Sequence, residues 1–88
     1  MNRVLVGIAW FTAEQWPEVQ RIMDDKATES FAEWQKNAAD LKIRLKKEGV
    51  DFTPVPIDLG DFQIWCHRHQ RKHDAASRAA YVTEKLRA

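Results

Sequence analysis

Two prolines in the stretch VDFTPVPID, Pro54 and Pro56, constrain this 88-residue chain more than any other feature. The stretch carries β-branched and aromatic residues and reads as a strand. Residues two apart on a strand point their N–H groups the same way. The two prolines therefore remove two donors from one edge and leave the other intact. This second strand must be an edge strand, pairing only through the side used by Thr53, Val55 and Ile57. The first strand is RVLVGIAWF, which is β-branched and aromatic and has no helical period. Val4, Val6, Ile8 and Trp10 fall on one face, and Leu5, Gly7, Ala9 and Phe11 on the other. Both faces are apolar, so cover is expected on both. Gly7 and Ala9 leave room for a helix to approach closely.

Helical signals fill the rest of the chain. Thr12 with Gln15 has the spacing of a capping box, ahead of a stripe of Trp16, Val19, Ile22 and Met23. Pro17 removes an early hydrogen bond and distorts that first turn. The polar run DDKATES interrupts the stripe and reads as a loop, although a continuous helix would also keep an approximate heptad. Ser30 with Glu33 repeats the capping box, Phe31, Trp34, Ala38, Leu41 and Leu45 recur at intervals of three and four, and Gly49 supplies the stop. Asp58 caps a third helix with Leu59, Phe62, Trp65 or Cys66, and His69 on one face. Asp74 caps a fourth, whose stripe is Ala75, Ala79, Val82 and Leu86. The order is β-α-α-β-α-α in one domain, residues 1–88: an α+β or small α/β fold with a two-stranded sheet. A long helical crossover between two strands favours parallel pairing with a right-handed connection.

Charge and cysteine usage narrow the function classes. Fourteen basic residues against thirteen acidic ones leave a formal charge of +1, with no global field to steer the chain to nucleic acid or membrane. One cysteine excludes an internal disulfide framework and fits a reducing compartment. The apolar run from Val4 to Phe11 is too short to span a bilayer, and no small-residue cleavage site follows it. A cytoplasmic setting is expected.

Candidate chemistry concentrates in FQIWCHRHQRKHD, Phe62 to Asp74. Cys66, His69 and His73 have a C-x2-H-x3-H spacing, which on one continuous helix would present a zinc-type set on one face. HQRKHD contains no apolar residue, however, and a break near Gln70 would leave Cys66 and His69 as a one-turn pair without further ligands. Catalysis by Cys66 would need an exposed, activated thiolate. Its place between Trp65 and His67 on an apolar helix face reads instead as inert packing. Arg68, Arg71 and Lys72 form a local basic knot with the histidines, and the 42–47 turn adds a second, so a phosphate-binding surface could be assembled from the 67–72 and 42–47 turns. Asp61, Asp74 and Glu84 intersperse the first, Glu48 and Asp51 follow the second, and no nucleic-acid reader motif is present. The acidic pairs Asp24–Asp25 and Asp58/Asp61 read as a loop and a helix N-terminus, and the three glycines are isolated, so no phosphate loop or cofactor is implied. The segment is best read as a helix end and turn, with Trp65 buried and the basic residues in water.

IAWF at the end of the first strand, EW opening the central helix, the glycine that closes it, FQIWC in the third helix and DAASRAAYV in the fourth resemble a group of short bacterial proteins without an assigned activity. The resemblance covers nearly the whole chain and implies a bacterial cytosolic protein. It brings no functional residue with it. The chain departs from that pattern at Gln70, where a glycine would end the third helix.

The favoured function is a non-catalytic interaction or assembly module acting on a protein partner. The alternatives are a nucleic-acid-associated protein and, more weakly, an enzyme or metal site around Cys66 and His69. The expected assembly is a symmetric homodimer through the first strand (Val4, Val6, Ile8), whose far edge carries no proline and no charge after Arg3. Two copies would form a four-stranded sheet ordered 2-1-1′-2′. The competing arrangement is a monomer whose first-strand edge is covered by a helix.

Overall fold

The computed structural model describes residues 4–87, in the order β1 (Val4–Trp10), α1 (Trp16–Ile22), α2 (Phe31–Lys47), β2 (Val50–Pro56), α3 (Leu59–Arg68) and α4 (Ala75–Arg87). This is a small α+β fold in the expected β-α-α-β-α-α order. The two strands are parallel, in a register that runs from Val4 opposite Val50 to Trp10 opposite Pro56. Arg3 and Ala88, expected at the ends of the first strand and the last helix, lie outside the described residues.

The prolines set the ladder. Pro54 and Pro56 have no N–H to give, so β2 turns Thr53, Val55 and Ile57 toward β1. Ile57 N–H accordingly donates to the Trp10 carbonyl at 3.3 Å. Successive residues of a strand alternate the direction of their backbone groups. Val4, Val6, Ile8 and Trp10 therefore point theirs at β2. Leu5, Gly7 and Ala9 point theirs at the edge that has no further strand among the described residues.

Local signals account for most boundaries. Glu33 N–H donates to Ser30 Oγ at 3.0 Å and Ser30 N–H to Glu33 Oε1 at 3.3 Å, the reciprocal box expected at the start of α2. Gly49, at φ 76°, ends that helix in the left-handed region. Asp58 accepts from Asp61 N–H, and Asp74 from Ser77 N–H, each at 2.9 Å. The Thr12–Gln15 pair also forms both of its bonds, at 2.9 and 3.2 Å, but it closes a turn ahead of α1. The helix itself begins at Trp16, beside Pro17. α3 ends at Arg68 as a Schellman motif, with Gln70 N–H on the His67 carbonyl at 3.2 Å and Arg71 N–H on the Cys66 carbonyl at 2.8 Å. Gln70 occupies the left-handed position of that motif, at φ 53°. The turn thus has the geometry a glycine would serve.

α2 and α4 take opposite faces of the sheet. Trp10, on one face, packs edge-on against Trp34 of α2 at 5.0 Å between ring centroids. Gly7, on the other, lies so close to α4 that an added Cβ would stand 2.5 Å from Leu86 Cδ1 and 2.6 Å from Val82 Cγ1. The core gathers at the C-terminal ends of the strands, where Phe11 and Ile57 meet Trp16, Val19, Met23, Trp34, Phe62, Cys66, Tyr81 and Val82.

Three expectations are corrected here. The faces of β1 are covered only toward its C-terminal end: Val4 and Leu5 are 60% and 56% exposed. The buried stripe of α4 is Ser77, Arg78, Tyr81 and Val82. Of the expected stripe only Val82 is buried, while Ala75, Ala79 and Leu86 face solvent. The helix is rotated because the aromatic ring of Tyr81 meets Phe62 at 5.3 Å and turns that side inward. Trp65 is half-buried, because its indole N–H donates to Glu84 at the surface at 2.8 Å.

Candidate functional site

The misfit between the apolar pattern and what the fold covers is concentrated in one place. A groove of about 330 Å³ runs along the open edge of β1. Its floor is Gly7, Ile8 and Ala9; Trp34, Ala38 and Leu41 of α2 form one wall, and Ala75 and Ala79 of α4 form the other. No residue of β2 lines it, as expected for a groove on the far side of β1. A second hollow continues it toward the N-terminal end of β1, between Leu5, Val6, Ala79, Thr83 and Leu86. The alanines left outside the core by the rotation of α4 are therefore groove wall.

One end of the groove is polar and built on the α1–α2 loop. Trp16 Nε1 and Gln20 Nε2 both donate to the Glu29 carbonyl, at 2.9 and 2.8 Å, and so fix the loop on α1. Lys26 Nζ pairs with Glu29 Oε1 at 3.1 Å with both side chains largely buried. The other carboxylate oxygen of Glu29 is buried without a hydrogen bond. Arg78, reaching from α4, makes two bonds of 2.7 Å to Asp25 and holds the Asp25 carboxyl below its ordinary range. Lys26, Glu29 and Arg78 all line the groove. In the sequence Lys26 and Glu29 read only as the polarity of the DDKATES loop, and Arg78 stands outside the expected stripe of α4. The available signal was the alternative helical phase through Tyr81, the chain's only tyrosine, which carries Arg78 to the inner face.

The Phe62–Asp74 segment is dispersed by the fold. Cys66 is fully buried, its thiol donates weakly to the Lys72 carbonyl at 3.8 Å, and burial pushes its pKa up, away from the thiolate that catalysis needs. His69 caps α3 and lies against Trp65, 4.6 Å between rings. His73 instead turns back to the Ile22 carbonyl at 3.1 Å and lies tilted beside the Phe62 ring. The three candidate metal ligands thus have three different surroundings. Among the described residues no group of three or more His, Cys, Asp or Glu side chains is placed to share an ion.

The basic knot is exposed throughout residues 67–72, and the Arg71 guanidinium lies over the Trp65 ring at 5.6 Å. Arg68 and Lys72 extend into solvent beside it. The shallow cleft containing His69 and Arg71 is completed by Thr83, Glu84 and Arg87 of α4, not by the 42–47 turn of α2. Of the other nearby cations, Arg78 is committed to Asp25 and Lys85 to Asp61 at 3.1 Å. Asp61 also accepts the Tyr81 hydroxyl, which lowers the Asp61 pKa, while burial and that same acceptor raise the Tyr81 phenol well above its usual value. No helix among the described residues is long and apolar enough to cross a membrane.

Comparison of the chain with protein-family models, curated proteins and solved structures finds no match.

Proposed function

We propose that this chain is a small, non-catalytic interaction and assembly module of the bacterial cytoplasm, and that it works as a symmetric homodimer joined edge to edge through β1. The observation that carries this reading is the groove. It combines an open strand edge with apolar side chains on both helical walls, and its α4 wall is Ala75 and Ala79, which periodicity marks for burial but the monomer leaves exposed. A two-stranded sheet is marginal alone in water, and unpaired edges of apolar strands are rarely left open. A two-fold axis perpendicular to the sheet makes the central strands antiparallel and yields the order 2-1-1′-2′, with Pro54 and Pro56 at both outer rims. Val4, Val6 and Ile8 then contribute side chains to the seam, while the bridging hydrogen bonds come from Leu5, Gly7 and Ala9. Against nucleic-acid binding stand the internal pairing of Arg78 and Lys85 and the near-neutral charge of the chain.

Ala9→Pro tests the reading, because it deletes an N–H on the open edge without touching the bonds to β2. The variant is expected to keep its circular dichroism spectrum and lose its dimer mass. A folded Ala9→Pro protein that remains dimeric would refute assembly through this edge.

A further inference from the structure

Resting on that proposed pairing, we infer that the seam is centred on Gly7, with Leu5 of each copy seated in the alanine-lined half of the other copy's groove. The backbone groups free to pair are those of Leu5, Gly7 and Ala9, so a two-fold axis must match odd residues with odd ones. Three centres pair at least two of these residues with one another. Centring on Val6 puts Leu5 opposite Gly7 and carries Ala9 opposite residue 3, outside the described residues. Centring on Ile8 puts Gly7 opposite Ala9 and carries Leu5 past the end of β1, opposite Phe11. Among the described residues only the Gly7 centre pairs all three within the strand, with Gly7 opposite its own copy and Leu5 opposite Ala9 in both directions.

Side-chain volumes select the same centre. Directly opposed residues of antiparallel strands place their side chains on the same face. In the Gly7 register the exposed Leu5 lands on Ala9 of the other copy, where the α4 wall consists of Ala75 and Ala79, both small and both open. A large residue at one end of the face meets a hole at the other, and the two-fold axis repeats the fit. On the α2 face Val4, 60% exposed, comes to rest on Trp10, whose ring already packs on Trp34. At the axis two glycines face each other, which leaves that part of the α4 face to the Leu86 side chains already lying over Gly7. An isologous interface requires such self-complementarity, and an unrelated strand could use the edge hydrogen bonds without matching Leu5 to the alanines.

Cysteine cross-linking distinguishes the registers. The Gly7 centre places Val6 opposite Ile8 of the other copy as a non-hydrogen-bonded pair, the closer kind, within disulfide reach. The full-length Val6→Cys and Ile8→Cys chains are expressed separately and together, with the fully buried Cys66 retained, and oxidised with copper phenanthroline. A covalent dimer is expected only on co-expression. Cross-linking of Val6→Cys alone would place the axis at Val6, cross-linking of Ile8→Cys alone would place it at Ile8, and either overturns the inference. So does the absence of any cross-link from co-expressed chains that scatter light as a dimer. A monomeric wild-type protein would instead remove the homodimer reading beneath it.

Discussion

Arg78 and Asp25, 53 residues apart, meet through two parallel hydrogen bonds of 2.7 Å that clamp α4 to the loop between α1 and α2. The two ends of this pair are unlike: the Arg78 side chain is 10% exposed and that of Asp25 40%. Removing the acid strands a buried cation, whereas removing the base leaves a carboxylate that water can still reach. Asp25→Asn is therefore expected to cost about 1.5–3 kcal/mol and Arg78→Met less, by the asymmetry between unpaired buried and solvated charges. Urea unfolding midpoints of the two variants check the order, and a larger loss for Arg78→Met contradicts it.

The pH dependence of stability has two arms. The carboxyls of Asp25, Asp61 and Asp74 are held low, by Arg78, by Tyr81 with Lys85, and by the Ser77 N–H respectively. A carboxyl depressed in the folded state stabilises it above the unfolded pKa, and that contribution disappears as the pH falls below about 4. Tyr81 has the opposite sign. Its raised phenol pKa favours the folded state fully below about pH 10, and the gain fades as the pH climbs past that value. Thermal melts across pH are expected to decline at both extremes, and Tyr81→Phe to flatten the alkaline decline. An unchanged alkaline slope in that variant would contradict the assignment.

Gln70 holds a left-handed conformation that costs a non-glycine residue more than a glycine. Gln70→Gly is expected to raise stability by about 0.5–1 kcal/mol, the scale of a relieved left-handed residue less the added chain entropy of glycine. A denaturation curve showing no gain would mean that the Gln70 side chain contributes elsewhere.

Gly7 is required by its distance from α4. Gly7→Ala would force Val82 and Leu86 to move and is expected to cost about 1–3 kcal/mol, as for an overpacked core. Leu86 is 43% exposed and can yield, so Leu86→Ala in the same chain should recover part of the loss. Equal stability of the single and double variants would show that Val82 alone sets the clash.

Much of the architecture is legible in the sequence because its signals are local. Pro54 and Pro56 identify the paired side of β2, Ser30 with Glu33 starts α2, Gly49 ends it, and Asp58 and Asp74 cap the helices after them. The phase of α4 is harder to read, because an alanine stripe and a Ser77–Arg78–Tyr81–Val82 stripe are both helical. The choice between them depends on Phe62 and Asp25, far away in sequence. The depth of cover over β1 is likewise a tertiary property. Nothing between Val4 and Ala9 distinguishes a strand clad along its length from one whose N-terminal end is bare. The groove, which arises from these two tertiary choices, is accordingly absent from any local pattern.

The central claim is that the open edge of β1 is closed by a second copy of the chain. Size exclusion with in-line light scattering at micromolar concentration measures this directly. The account predicts a mass twice that of the 10.3 kDa chain. A mass of 10.3 kDa across that concentration range would contradict it.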